Sequence, residues 1–196
     1  MANLPLVQYS GGATVIDSEV GLKEAVKHLS KARIIGFDTE TRPSFKKGVS
    51  HEVSLLQLAS PEMCFLFRIN TIGMHPLLTQ LLEDPKLLKV GVSLHDDFHS
   101  LERICNIVPK GFVDLQQYVK NYNIADNSLA KIYAILFGQR ISKGQRLTNW
   151  EAETLTPAQV NYAAFDAISC IKIYDYISSG LFDPLHSPYL RSMDSL

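Results

Sequence analysis

The chain has 196 residues, enough for one α/β domain and too few for a second core of normal size. Apolar residues make up 46% and charged residues 20%, ordinary proportions for a globular protein. With 19 Lys+Arg against 20 Asp+Glu, the net charge of −1 excludes a global basic field of the kind that coats nucleic acid. An enzyme that draws phosphate through metal ions stays compatible with that balance.

Cys64, Cys105 and Cys170 form no CxxC pair, so reduced thiols in a cytoplasmic setting are expected rather than a disulfide framework. The N-terminus shows no basic stretch followed by an apolar run, so no signal peptide is read. No apolar run approaches the ~20 residues that cross a bilayer, and no membrane partner is expected.

In chain order, Val20–Leu29 carries Leu22, Ala25, Val26 and Leu29 at helical spacing. Arg33–Thr41 (RIIGFDTET) begins as a continuous apolar run, the pattern of a strand buried on both faces. Val53–Ala59 and Met63–Ile69 flank Ser60-Pro61-Glu62, a hairpin turn, so the sheet is expected to begin antiparallel. A helix over Pro76–Glu83 precedes a buried strand at Leu87–Ser93, which leads into a helix near Asp96–Cys105. Val113–Leu115 reads as a short strand, and from Gln116 the pattern is helical apart from the polar loop Gly138–Asn149. Thr156-Pro157-Ala158-Gln159 combines a capping box with proline at the first helical position, and Gly180 marks the end of that last helix. The order of elements gives a three-layer α/β/α domain with a mixed sheet. The tail, 183–196, is expected to be irregular.

Three acidic features stand out. Asp38 and Glu40 lie two residues apart on an apolar strand and so project to one face. Unless a cation compensates, such a pair beside a core is unfavourable by several kcal/mol; the alternative is that the strand ends at Phe37 and both are solvated. Asp96 and Asp97 stand at a strand-to-helix junction, where the helix dipole also favours acids that merely cap. Tyr162 and Asp166 share one helical face at i, i+4, turned away from the stripe Val160, Ala164, Ala167 and Ile171 that is expected to pack against the domain. The alternative is a surface Tyr–Asp pair.

Together, FDTE at 37–40, KVGVSLHDDF at 89–98 and NYAAFDA at 161–167 resemble the three motifs of the DEDDy-type 3′-5′ exonucleases, in the ribonuclease D and Werner-syndrome exonuclease branch. The resemblance covers about 30–178 and extends to the approach QRLTNWEAETLTPAQV. It implies one exonuclease domain, 1–196, with a ribonuclease-H-like fold and two divalent ions, Mg²⁺ or Mn²⁺. It assigns Asp38, Glu40, Asp97 and Asp166 as metal ligands, with Asp97 chosen over its neighbour Asp96, and Tyr162 as the tyrosine that names the subfamily. The implied activity removes nucleoside 5′-monophosphates from single-stranded 3′ ends of DNA or RNA. Two other readings are a nuclease fold kept as a binding module and a phosphodiesterase for small nucleotides.

Weaker features surround this set. Thr39, between the first two acids, is a candidate substrate contact. So are the basic residues of two loops, Arg42, Lys46 and Lys47 before the second strand and Lys143 and Arg146 before the last helix. Leu55 and Gln57 either line the cleft or lie buried in the sheet. His95 and His99 have a zinc-compatible spacing without supporting ligands, and His95 is placed near the metals as an outer group. Trp150 is expected to anchor the last helix by packing.

Overall fold

The computed structural model describes residues 3–7 and 9–185. Six strands form one sheet: β1 (Gly12–Ile16), β2 (Ile34–Thr41), β3 (Val53–Ala59), β4 (Met63–Phe67), β5 (Leu88–Gly91) and β6 (Phe112–Asp114), in the spatial order β1-β4-β3-β2-β5-β6. β2, β3 and β4 run antiparallel; β1 pairs parallel with β4, and β5 and β6 continue in parallel from β2. Helices α1 (Glu19–Leu29), α2 (Ile69–Ile72), α3 (Pro76–Glu83) and α4 (Leu94–Glu102) are followed by α5 (Leu115–Tyr118), α6 (Leu129–Phe137) and α7 (Pro157–Ser178).

Two apolar layers enclose the sheet, and the alternation of side chains along each strand divides them. Ile34, Leu55, Ala59 and Leu66 pack with α6 and α7, whereas Ile35, Phe37, Leu56, Leu58 and Phe67 pack with α1, α3 and α4. Burial on both faces explains why β3 and the first half of β2 are largely apolar. It also fixes the facing of the later residues of β2. Gly36, Asp38 and Glu40 share the α7-facing side of Ile34, while Thr39 shares the α4-facing side of Phe37.

α7 is the central helix of its layer. The Thr156–Gln159 capping box and Pro157 start it as the sequence indicates. Its backbone rests directly on β2, since a Cβ on Gly36 would lie 2.0 Å from the Ala167 carbonyl oxygen. The expected stripe does pack into the core through Ala164, Ala167 and Ile171, but burial extends beyond it to every residue from Ala163 to Ile171. The sheet covers one side of it and α6 the other, and Val160, assigned to the stripe, is only half-buried.

Smaller departures have local causes. β1 was not anticipated: it lies at the sheet edge with Ile16 as its buried residue, and so carries no apolar alternation. The strand expected to reach Ile69 ends at Phe67, because Arg68 opens the short α2. The tail has a turn at Asp183–Leu185, with the Leu185 amide donating to Asp183 Oδ1 at 2.8 Å; residues 186–196 of the expected irregular segment lie outside the described residues. No helix among the described residues is long and apolar enough to cross a membrane.

Candidate active site

The carboxylates converge because β2 and α7 touch. Asp38 and Glu40 rise on the α7 side of β2, and Asp166 descends from α7 one residue before the Ala167 carbonyl that meets Gly36. One ligand oxygen from each of Asp38, Glu40 and Asp166 lies within 4.8 Å of the others. Asp38 pairs with Gln57 and Glu40 with Leu55 in the β2–β3 ladder; the register then shifts, with Thr41 opposite Val53 and Ser54 left as the extra residue of a bulge. The loop before α7 is tied down by long-range polar contacts. Arg42 Nη1 and His51 Nδ1 meet the Glu151 carboxylate at 3.0 and 3.1 Å, and Arg68 donates to the Ala152 and Glu153 carbonyls. These hold Trp150, which is fully buried with its ring 6.1 Å from that of Tyr162.

Asp97 reaches the same cleft from the other side of β2. Its helix starts from Ser93, whose φ of 63° places a non-glycine residue in the left-handed region. Asp114 Oδ2 accepts from the Leu94 amide at 3.1 Å and Oδ1 from the Gln116 amide at 2.7 Å. The Gln116 side chain then donates to Ser93 Oγ and to the Asn127 carbonyl, both at 2.8 Å. That brace joins the start of α4 to the chain entering α6. Asp97 Oδ1 accepts a hydrogen bond from Thr39 Oγ1 across the strand. The Asp97 oxygens stand outside the close triad, on the facing wall of a cleft of about 320 Å³ that Asp38, Glu40, Asp97, Tyr162 and Asp166 line together.

Crowding these acids in a buried place favours their protonated forms. Burial, followed by the charge of Asp166, holds Asp38 well above the ordinary carboxylate range. Burial and then Asp38 push Glu40 to about 10, against the opposing pull of Arg146. Burial and Asp38 lift Asp97 to about 8, with the Thr39 hydrogen bond acting downward. Burial lifts Asp166 to about 7, and hydrogen bonding from the Tyr162 phenol lowers it. Burial and the neighbouring carboxylates hold the Tyr162 phenol protonated beyond the ordinary tyrosine range. Hard oxygen donors that repel one another when ionised are the donor set that divalent Mg²⁺ or Mn²⁺ takes, so these residues fit such ions.

The weaker expectations divide. Thr39 and Arg146 line the cleft. Lys46, Lys47 and Lys143 are exposed outside its lining, and Arg42 is paired with Glu151 rather than free for phosphate. Leu55 and Gln57 are fully buried in the sheet and do not line the cleft. The Asp96 and His95 side chains are 89% and 94% exposed beside one another, so His95 is not an outer group of the acidic cluster. His99 is also exposed. Cleft residues that the sequence did not single out are Val92, Ser93, Ser128, Leu129 and Cys170. The left-handed turn at Ser93 leaves no mark in residue type, whereas Cys170, one turn after Asp166, was open to the same i, i+4 reasoning as Tyr162.

A three-layer α/β domain with an acidic cleft at the end of its central strand is the class that this geometry defines. The family model described as 3′-5′ exonuclease matches residues 13–181, and the chain belongs to that family. It is 32% identical to exonuclease 3′-5′ domain-containing protein 2 of Drosophila melanogaster, over 88% of this chain and 30% of that protein. It is 29% identical to the bifunctional 3′-5′ exonuclease/ATP-dependent helicase WRN of Mus musculus, over 90% of this chain and 13% of the relative. The chain thus spans a minor part of these two relatives. The crystal structure of the Aedes aegypti Nibbler EXO domain superposes with a TM-score of 0.79 at 22% identity, covering 92% of this chain and 95% of that one. The fold is the ribonuclease-H-like exonuclease fold that the motifs implied.

Proposed function

We propose that this chain is a metal-dependent 3′→5′ exonuclease that releases nucleoside 5′-monophosphates from single-stranded 3′ ends of DNA or RNA. The convergence of Asp38, Glu40 and Asp166 carries the reading, since half-buried Asp38 crowded against the buried Glu40 and Asp166 is of use mainly to divalent cations. Asp97 completes the set from the opposite wall. Two bound ions would supply charge neutralisation at the phosphate and a water of lowered pKa.

The chain's own groups define the rest. Water adds to the terminal phosphorus, the bond from phosphorus to the 3′-oxygen of the shortened strand breaks, and that oxygen leaves with a proton. Tyr162, held protonated by its surroundings, orients the attacking oxygen by turning its single hydroxyl donor from Asp166 to that oxygen, rather than acting as a base. Arg146, at the cleft beside Glu40, draws the phosphate. The unpaired thiols of Cys64, Cys105 and Cys170 suit a reducing, cytoplasmic compartment.

A 5′-labelled single-stranded oligonucleotide tests the reading, with Mn²⁺, Mg²⁺ or EDTA and with Asp38→Ala beside the wild type. A metal-dependent ladder shortening from the 3′ end is expected, reduced by about 10³-fold in the variant because a metal contributes several kcal/mol to the transition state. An intact oligonucleotide under every condition, still bound by folded protein, would instead make the chain a binding module.

A further inference from the structure

The middle of β3 carries an amide among apolar neighbours. Gln57 is fully buried between Leu56 and Leu58, and neither its nitrogen nor its oxygen meets a hydrogen-bond partner among the described residues. A buried amide without partners weakens a fold, and an apolar side chain of similar shape removes that burden. A glutamine at such a site is therefore a candidate for a task outside stability.

The register indicates the task. Gln57 stands directly opposite Asp38 in the β2–β3 ladder. Opposed residues project to the same face with Cβ atoms about 4.5–5.5 Å apart, within reach of a glutamine amide. Leu55 and Ala59, two residues to either side, belong to the layer under α7, so Gln57 shares the face on which Asp38, Glu40 and Asp166 converge. It does not line the cleft, so it lies behind the carboxylates and away from any substrate. Burial holds the Cys64 and Cys170 thiols protonated, the Asp38 charge raises both further, and a thiol is a weak donor.

We propose that Gln57 is a positioning residue for Asp38: its amide, without a partner among the described residues, donates to that carboxylate once it holds a divalent cation and fixes its orientation. The inference rests on the exonuclease reading. It has a consequence that an ordinary structural role lacks, because stability and turnover must move in opposite directions when the amide is removed.

Gln57→Leu in the full chain tests this. Three quantities are read: the metal-free Tm, the Tm shift produced by Mn²⁺, and kcat and KM on the labelled oligonucleotide. The metal-free Tm is expected to rise by a few degrees. The Mn²⁺ shift should shrink, and kcat should fall by about 10–100-fold with KM within about twofold, the usual loss for a group that orients a metal ligand. An unchanged kcat overturns the proposal whatever the Tm does. A lower metal-free Tm also overturns it, since the amide is then satisfied within the fold; Gln57→Met, unbranched, repeats the measurement so that a misfit of the leucine branch is not mistaken for that result. A wild type that never shortens the oligonucleotide refutes the exonuclease reading instead, and the Mn²⁺ shift still reports whether Gln57 supports Asp38.

Discussion

Asp38, Glu40 and Asp166 stand on two elements whose backbones meet at Gly36 and Ala167, whereas Asp97 stands on a helix whose first turn is braced by the side chains of Asp114 and Gln116. The first side of the cleft is therefore set by close packing, and a displacement there moves helix and strand together. The second is set by a few hydrogen bonds between short segments, which can be removed one at a time without opening the core. One cleft thus combines a rigid floor with a wall that single side chains can adjust.

The most disruptive way to break this contrast is Gly36→Ala. The added methyl group meets the Ala167 carbonyl, and strain of this kind costs about 1–3 kcal/mol or more. A drop in Tm of roughly 2–4 °C per kcal/mol should appear by calorimetry together with a loss of turnover. Wild-type values for both would show that the floor yields more easily than its packing implies.

Titration tests the floor without mutation. Folding raises Asp166 to about 7, Asp97 to about 8 and Glu40 to about 10, from unfolded values near 4. The folded chain then holds more protons than the unfolded chain between those limits, so metal-free stability falls as pH rises from about 4 through this window. A decline of a few degrees per pH unit is expected in EDTA between about pH 5 and 9, and Mn²⁺ should flatten it. A metal-free Tm that holds level or climbs over that range would mean that the acids do not repel one another as their placement suggests.

The smallest effect is expected on the adjustable wall. Gln116→Leu removes both donations, to Ser93 and to Asn127, and should lower kcat by about 10-fold while leaving Tm nearly unchanged. A large fall in Tm would place the wall among the packed parts of the molecule and erase the distinction.

Much of this was legible in the residues because it depends on local periods. The i, i+2 relation of Asp38 and Glu40, the Ser60–Glu62 turn and the Thr156 cap are all short-range, and each appears where its spacing implies. What escaped depends on distant partners. Arg42 finds Glu151 across 109 positions, and no local pattern separates such an ion pair from a free loop arginine. Asp96 and Asp97 differ by one helical step, so only the direction in which α4 leaves Ser93 decides which faces the cleft. α7 buries more than the apolar stripe read from its sequence, because sheet and helix both cover it, and that additional burial came from the tertiary arrangement.

The bulge at Ser54 bears on how this domain can diverge. Asp38 and Glu40 keep their pairing with Gln57 and Leu55 on the near side of it, and the mismatch is taken up before the chain enters residues 42–52. A one-residue slip in an uninterrupted ladder would turn both acids to the opposite face. With the bulge absorbing such changes, the connection between β2 and β3 can lengthen, shorten or exchange its lysines while the acids stay in place. Descendants of this chain can therefore vary the surface beside the cleft without moving its carboxylates.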